Sequence, residues 1–220
     1  MPEKQQMSQS LILGVLLALA GGMLDAYTFL CRGGFFATAE TGNIVMLGIS
    51  AAQGEFQRAF YYILSIASFS IGIFTAEVLT CLDDCMRLHW RQWGLLLECA
   101  FLLFLSTLSD EYNLLVCLLV SYISAIQLET FRKFHGLNCA TTMCTGNLRS
   151  ASEAVYKRMF KHGKPGAYVH YALLAAFATG AMISGFMADY LGNYTVLLAC
   201  IPLVASFLFM FIEEDIFHRG

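Results

Sequence analysis

Long apolar segments limit what this chain can fold into. The first of them, residues 11–31, contains one charged residue, Asp25. A helix of about 20 apolar residues spans the hydrocarbon core of a bilayer, which is about 30 Å thick. Only 13% of the residues are charged, against about 25% in an average soluble domain. The sequence therefore predicts an all-α integral membrane protein that has the lipid bilayer as its main partner.

Six segments are predicted to cross the bilayer, within one membrane domain that covers residues 1–220. Two other segments, 35–52 and 139–157, are too short or too polar to cross comfortably. The apolar run after Asn43 has nine residues, which corresponds to about 14 Å of helix. We predict that these two segments form short half-membrane helices. The six predicted spans are 11–31, 59–82, 93–109, 112–131, 166–189 and 192–212.

The distribution of Lys and Arg predicts the orientation of the chain. With the N-terminus in the cytoplasm, only Arg32 and Arg58 of the 13 basic residues lie outside. Because basic residues are retained on the cytoplasmic side, both termini are predicted to be cytoplasmic. The net charge of −3 says nothing about nucleic acid, but the sequence has no basic stripe with interleaved aromatic residues, so no nucleic-acid partner is expected. The eight cysteines show no metal-like CxxC spacing, and no cofactor or metal motif is present.

The tripeptide Thr-Gly-Asn occurs twice, at residues 41–43 and 145–147, which are 104 residues apart. Small residues at every fourth position also recur in the next helix of each half, with a shift of 108 residues. Such spacing lets helices approach closely in lipid. The two patterns indicate an internal repeat, about 11–109 and about 112–212. The 104-residue shift aligns Leu24 with Leu128, Asp25 with Glu129, Tyr27 with Phe131 and Thr38 with Thr142, and the small residues are Ser68, Gly72 and Ala76 in one half and Ala176, Gly180 and Ser184 in the other.

Three spans in each half give the repeats opposite orientations in the membrane. This 3+3 inverted arrangement occurs in many transporters. It would let the short helices that begin at the two triplets enter from opposite faces. If 35–52 spans the bilayer fully, each half has four crossings and the repeats are parallel. The charge of 139–157 favours the inverted arrangement.

The residue types of the triplet predict a binding element at the start of each short helix. Thr is a good N-cap, Gly permits close approach of the backbone, and Asn can both donate and accept hydrogen bonds. A helix N-terminus carries partial positive charge and free N–H groups. The alternative is that each triplet is a structural cap and interhelical clasp without a ligand. The candidate substrate-binding residues are Thr41, Gly42, Asn43, Thr145, Gly146 and Asn147.

Asp25 and Glu129 are aligned carboxylates within predicted spans. Ionisable residues there are costly and usually serve a function or pair with a partner. We predict that each pairs with the positive end of the following short helix, or takes part in proton or ion coupling. Glu40 also precedes the first triplet, but its counterpart is Cys144, so symmetry does not support a role for it.

The stretch GGMLDAYTFLCRGGFFATAETGNIVMLG, residues 21–48, resembles the signature of the YoaK-like bacterial membrane proteins, a family of unknown function. The likeness extends over nearly the whole chain and includes the second Thr-Gly-Asn region. It implies a multi-pass protein of the bacterial inner membrane with about six helices. The resemblance does not imply a substrate.

Three classes of function are compared. The first is a small-solute or ion transporter or channel with its site between the two short helices. The second is a non-transporting scaffold that binds lipid or a protein partner through the basic segment 132–164. An enzyme is not expected, because the sequence has no Ser–His pair, HExxH motif or recognisable paired aspartates. A homo-oligomer would suit the thin wall that six helices form.

Overall fold

A computed structural model describes residues 10–82, 90–134, 137–161 and 166–218. This part of the chain is almost entirely helical, as the sequence predicts, apart from two antiparallel two-residue strands. Short 3₁₀ segments precede α5, at Asp110–Tyr112, and α8, at Gly192–Ala199. The helices are α1 Leu11–Cys31, α2 Glu40–Ala52, α3 Phe56–Leu82, α4 Trp90–Ser106, α5 Asn113–Thr130, α6 Cys144–Phe160, α7 Ala167–Leu191 and α8 Cys200–His218, and the strands are β1 Lys133–Phe134 and β2 Leu137–Asn138.

Four segments of the described residues are long and apolar enough to cross a membrane: Leu11–Cys31, Phe56–Cys81, Asp110–Thr130 and Ala167–Met210. The predicted third span, 93–109, corresponds to a shorter apolar helix, Gly94–Ser106. The first, second and fourth predicted spans coincide closely with α1, α3 and α5. Four of the basic residues used to predict orientation, Lys4, Arg87, Lys164 and Arg219, lie outside the described residues.

The fourth apolar segment contains the predicted spans 166–189 and 192–212. Helix α7 ends at Leu191, and its C-cap Gly192 has a φ of 51°, a left-handed value that glycine adopts without strain. Both α7 and α8 pack against α1, which is about 31 Å long, whereas a straight helix over residues 167–218 would extend about 78 Å. The chain therefore reverses direction near Gly192.

Helices α1 and α7 form the most extensive helix pair. A Cβ atom at Gly22 would overlap the carbonyl group of Phe177, and one at Gly180 would overlap the backbone of α1. The two backbones therefore touch, as the small-residue pattern predicts. Gly14 lies beside Leu173 and Gly22 lies beside Phe177. Because the contact on α7 moves from Leu173 to Phe177 as the position on α1 moves from Gly14 to Gly22, the two helices run in the same direction.

Helices α3 and α5 pack in the same manner. A Cβ atom at Gly72 would overlap the carbonyl group of Tyr122. The Ser68 hydroxyl donates to the Leu118 carbonyl (2.7 Å), and the Tyr122 hydroxyl donates to Thr75 Oγ1 (3.2 Å). These contacts also advance together, so α3 and α5 are parallel. Helix α2 also packs on α3, and α6 packs on α7.

The end of α1 is joined to the α4–α5 turn by Arg32, a residue used above only to predict orientation. Its side chain is fully buried. Its Nε donates to the Tyr27 hydroxyl (2.6 Å), its Nη1 to Asn113 Oδ1 (3.0 Å), and its Nη2 to the carbonyls of Leu105 and Leu108. Because Asn113 begins α5, the end of α1 lies beside the start of α5, and the two helices run in opposite directions.

Candidate functional site

Asp25 lies on the buried face of α1 and is 4% exposed. Its Oδ1 accepts a hydrogen bond from the Thr38 backbone N–H (2.7 Å), and its Oδ2 accepts one from the Thr38 hydroxyl (2.8 Å). Thr38 lies one residue before Ala39, the N-cap of α2. The carboxylate is therefore held at the positive end of α2, where a negative charge is stabilised.

Glu40, the first residue of α2, brings a second carboxylate to this place. Its Oε1 accepts from the Ser121 hydroxyl on α5 (3.3 Å), and its Oε2 accepts from the Asn43 amide (3.2 Å). Asp25 lies near enough to interact electrostatically with it. Symmetry between the two halves does not predict a role for Glu40, because its counterpart is Cys144. Its position directly before the first triplet was the signal that could have identified it.

Asn43 is fully buried and fastens the segment that leads into α2. Its Oδ1 accepts from the Phe36 N–H (3.1 Å), and its Nδ2 donates to the Phe36 carbonyl (2.8 Å) and lies 3.4 Å from Ser65 Oγ. The Asn43 amide is thus used within the protein. This geometry agrees with the clasp alternative for the first triplet.

Asn147 makes the corresponding clasp in the second half. Its Nδ2 donates to the Ala140 carbonyl (2.5 Å), and Ala140 and Phe36 are also 104 residues apart. The Asn147 Oδ1 lies 3.2 Å from His170 Nδ1 on α7. Both Asn residues therefore bind a backbone carbonyl seven residues earlier in the chain.

Thr41 and Thr145 are not helix caps, and this part of the prediction was wrong. Both helices begin one residue before the triplet, so the N-caps are Ala39 and Met143, and neither makes a side-chain capping bond. A capping side chain must precede the first helical residue, whereas each Thr is the second residue of its helix. Both Thr residues are exposed.

The two glycines of the triplets have different surroundings. A Cβ atom at Gly42 would lie 2.8 Å from the ring of Phe36, whereas one at Gly146 would have no atom within 4 Å. The residue aligned with Phe36 is Ala140, which has no ring. The side chain at this one position therefore accounts for the closer packing at the start of α2.

Glu129, the counterpart of Asp25, has a different partner. Its Oε1 accepts from Arg132 Nη1 at 2.5 Å, and Arg132 also approaches Glu77 at 3.5 Å. Within the described residues, the Thr142 hydroxyl, aligned with that of Thr38, is buried without a hydrogen-bond partner. The two aligned carboxylates therefore do not occupy equivalent positions.

The starts of α2 and α6 both lie close to Asp25. Cys144, the first residue of α6, is within electrostatic range of its carboxylate. The methyl group of Thr142 lies against Gly21, one helical turn before Asp25 on α1. The structure thus brings the starts of the two short helices to the same stretch of α1, near Asp25.

A cleft of about 890 Å³ opens at the end of α1 that carries Arg32. Its lining includes Phe35, Arg58 and Tyr61. Phe35 belongs to the segment that continues through Phe36 to Thr38, so the cleft borders the chain that holds Asp25. Charged, polar and aromatic side chains line this cleft.

Comparison with known proteins identifies the family. The family model described as "Protein of unknown function (DUF1275)" matches residues 13–209. The chain is also similar to the UPF0700 transmembrane protein YoaK of Bacillus subtilis (strain 168), with 26% identity over 171 residues, covering 74% of this chain and 75% of that protein. No solved structure matches. The multi-pass helical architecture and the resemblance of residues 21–48 agree with this finding, and the chain belongs to the DUF1275 family of transmembrane proteins.

Proposed function

We propose that this membrane protein is a small-solute or ion transporter or channel, with its site between the starts of α2 and α6. The observation that carries the proposal is the pair of carboxylates, Asp25 and Glu40, at the start of α2. An ionisable residue within a span costs several kcal/mol unless it is paired, and such residues commonly mark substrate or ion pathways. No basic side chain contacts either carboxylate among the hydrogen bonds and ion pairs of the described residues.

A 3+3 inverted repeat with two half-membrane helices is the architecture that we propose. In such a repeat α1 corresponds to α5 and α3 to α7. The α1–α7 and α3–α5 pairs, both parallel, would then exchange under the symmetry. The α2–α3 and α6–α7 pairs would do the same. The recurring Asn clasps support this arrangement.

The neighbours of α2 support a half-membrane depth for this helix. Arg32 marks one end of α1, and Asp25 lies seven residues before it, about 10 Å along the helix. The chain from Gly33 to Thr38 covers this depth, and α2 then returns toward the cleft that Arg32 and Phe56 line. This path would enter and leave on one face. Irregular backbone at such depth is tolerated only against protein or a wet cavity.

Placement in the bacterial inner membrane, with both termini in the cytoplasm, is part of the proposal. The charge distribution supports the orientation. The likeness to a transmembrane protein of a bacterium supports the compartment. A homo-oligomer would enclose the exposed residues Thr41, Thr145 and Gly146 within a common wall.

A thermal-shift screen of the purified full-length protein tests the proposal. The probes are small anions, amino acids, nucleobases and monovalent and divalent cations. A ligand at one hundred times its Kd should stabilise the protein by about 2.7 kcal/mol. We expect at least one response that is lost in Asp25→Asn and retained in Glu129→Gln, the matched control. A response that survives both Asp25→Asn and Glu40→Gln would place the binding site elsewhere.

Transport itself is measured with the responding ligand in proteoliposomes. Uptake above that of empty liposomes, abolished by Asp25→Asn, is the expected result. A ligand that binds at Asp25 without crossing the bilayer would contradict the transport proposal and favour a receptor or scaffold.

Helix α6 favours a second candidate function, contact with lipid headgroups or an acidic partner. Tyr156 and Phe160 are exposed, and Lys161 lies over the Tyr156 ring at 5.9 Å. A basic helix with exposed aromatic residues suits a membrane interface. Neutralising Lys157, Arg158 and Lys161 should weaken binding to anionic vesicles if this function is the main one. Unchanged vesicle binding would exclude it.

A further inference from the structure

The start of α2 shows which chemical group the entry to these short helices binds. Thr38, one residue before the N-cap, presents its backbone N–H and its hydroxyl to the same carboxylate, that of Asp25. Two donors of one residue, its backbone N–H and its hydroxyl, match the two oxygens of a carboxylate. Hydrogen bonds to a charged acceptor are about twice as strong as those between neutral groups.

Thr142 occupies the equivalent position before α6, one residue before the N-cap Met143. Its side chain is 4% exposed, and that of the preceding Thr141 is 1% exposed. In the part of the chain that the structure describes, neither hydroxyl has a hydrogen-bond partner. A buried hydroxyl without a partner is destabilising, so an external acceptor that reached these two adjacent hydroxyls would be stabilised.

In the second half, the carboxylate aligned with Asp25 is that of Glu129, and it does not bond to the Thr142 hydroxyl. Glu129 accepts from Arg132 three residues further along the chain. Helix α6 has 17 residues and no acidic residue in its first turn. Its positive N-terminal end therefore has no acidic residue in its own first turn, in contrast to that of α2, and the nearby carboxylate of Asp25 is already bonded to Thr38.

The first turn of α6 is exposed at Gly146. Gly146 has no atom within 4 Å of the place where a Cβ would lie. Ala140, the counterpart of Phe36, is too small to cover it. The first turn of α6 is therefore uncovered at Gly146, whereas the Phe36 ring covers the first turn of α2 at Gly42.

We propose that the start of α6 binds the carboxylate group of a small organic solute, with the Thr142 hydroxyl as a direct donor and Thr141 beside it. The inference rests on the proposed function and narrows its substrate class from any small solute or ion to a carboxylate. Asp25 provides the internal example of the same recognition in the first half. A simple carboxylate anion and an amino-acid zwitterion share this chemistry.

Thermal shifts of the full-length protein with acetate, glycine and methylammonium, at constant ionic strength, test the inference. Acetate or glycine should raise the melting temperature of the wild type. Thr142→Val should weaken this binding about 10- to 100-fold, since a hydrogen bond to a charged group is lost. The same substitution should not lower the melting temperature without ligand, because the hydroxyl has no partner in the protein. Thr38→Val is the matched control and should lower it.

The outcomes separate the two proposals. A response to glycine but not acetate identifies a zwitterion, and a response to both identifies the carboxylate alone as sufficient. Carboxylate binding that is unchanged in Thr142→Val overturns the inference. A response to methylammonium alone, lost in Asp25→Asn, overturns the carboxylate site while the proposed transport function stands. A lower melting temperature of ligand-free Thr142→Val would show that the hydroxyl has a structural role and would also overturn the inference.

Discussion

The starts of α2 and α6 share a sequence motif and a backbone clasp but differ in what surrounds them. At α2, the groups of Thr38 bind Asp25, the ring of Phe36 covers Gly42, and Glu40 adds a second carboxylate. At α6, by contrast, a buried hydroxyl has no partner among the described residues, the glycine is open, and Cys144 replaces the acidic residue. The Asn clasp is therefore the part of the motif whose contacts recur, and the residues that differ around it give each half a different chemistry.

The divergence explains why a repeated motif need not mean two equivalent binding sites. The Asn clasp holds an extended segment against the start of a helix, and both halves need it for the same geometric reason. The clasp places no such requirement on the side chains at positions 36 and 140, or at 40 and 144, so these can differ between the halves. A repeat can thus keep its fold while one half closes and the other remains open to a ligand.

Substituting the two aligned carboxylates should give the largest contrast in stability. Asp25→Ala should lower the free energy of unfolding by about 2–4 kcal/mol, because the N–H and hydroxyl of Thr38 lose their acceptor inside the protein. Glu129→Ala should cost less than about 1 kcal/mol, since its partner Arg132 is largely exposed. Unfolding in mixed micelles of mild detergent and dodecyl sulfate measures both. Equal losses would mean that the two halves do not differ as described.

The two Asn clasps should differ by a smaller amount. Asn43→Ala removes hydrogen bonds to both backbone groups of Phe36 and should cost about 2–3 kcal/mol, whereas Asn147→Ala should cost about 1–2 kcal/mol. The same micelle titration provides the measurement. A larger loss for Asn147→Ala would reverse the ranking of the two helix starts.

The two glycines should give the smallest effects, with opposite signs. Gly42→Ala should destabilise by about 1–2 kcal/mol, because the new methyl group would press on the Phe36 ring. Gly146→Ala should be neutral or stabilise by up to about 1 kcal/mol, since alanine is the better helix former. The double variant Phe36→Ala/Gly42→Ala sharpens the comparison: the additional cost of Gly42→Ala should disappear when the ring is removed.

Sequence patterns predicted the helices well where the signal was continuous. Residues 11–31 coincide with α1, because their apolar run is uninterrupted. The spacing of small residues in α3 and α7 predicted the faces through which these two helices pack. The span predicted at 93–109 was less well defined, and the apolar helix found there is Gly94–Ser106. Glu98 interrupts that run, so hydropathy alone is a weak guide to its ends.

Residue roles at the site were harder to predict than the helices. The sequence suggested Thr41 and Thr145 as caps, but the register of a helix start depends on the chain before it, which a local pattern does not define. Glu40 was set aside because its aligned residue is Cys144. Its bond to Ser121 on α5 is a tertiary contact, and alignment of the two halves carries no information about it.

The close backbone contact between α1 and α7 has a consequence for how the protein is made. The partner of the first helix is synthesised about 160 residues later, as the numbering of Gly22 and Gly180 shows. Until then, the glycine face of α1 has only lipid or other proteins beside it. A ribosome adding about 5–20 residues per second would take roughly 8–30 s to supply α7. The glycine face of α1 therefore stays without its helical partner until α7 is synthesised. A chain truncated before α7 should be degraded by quality-control proteases.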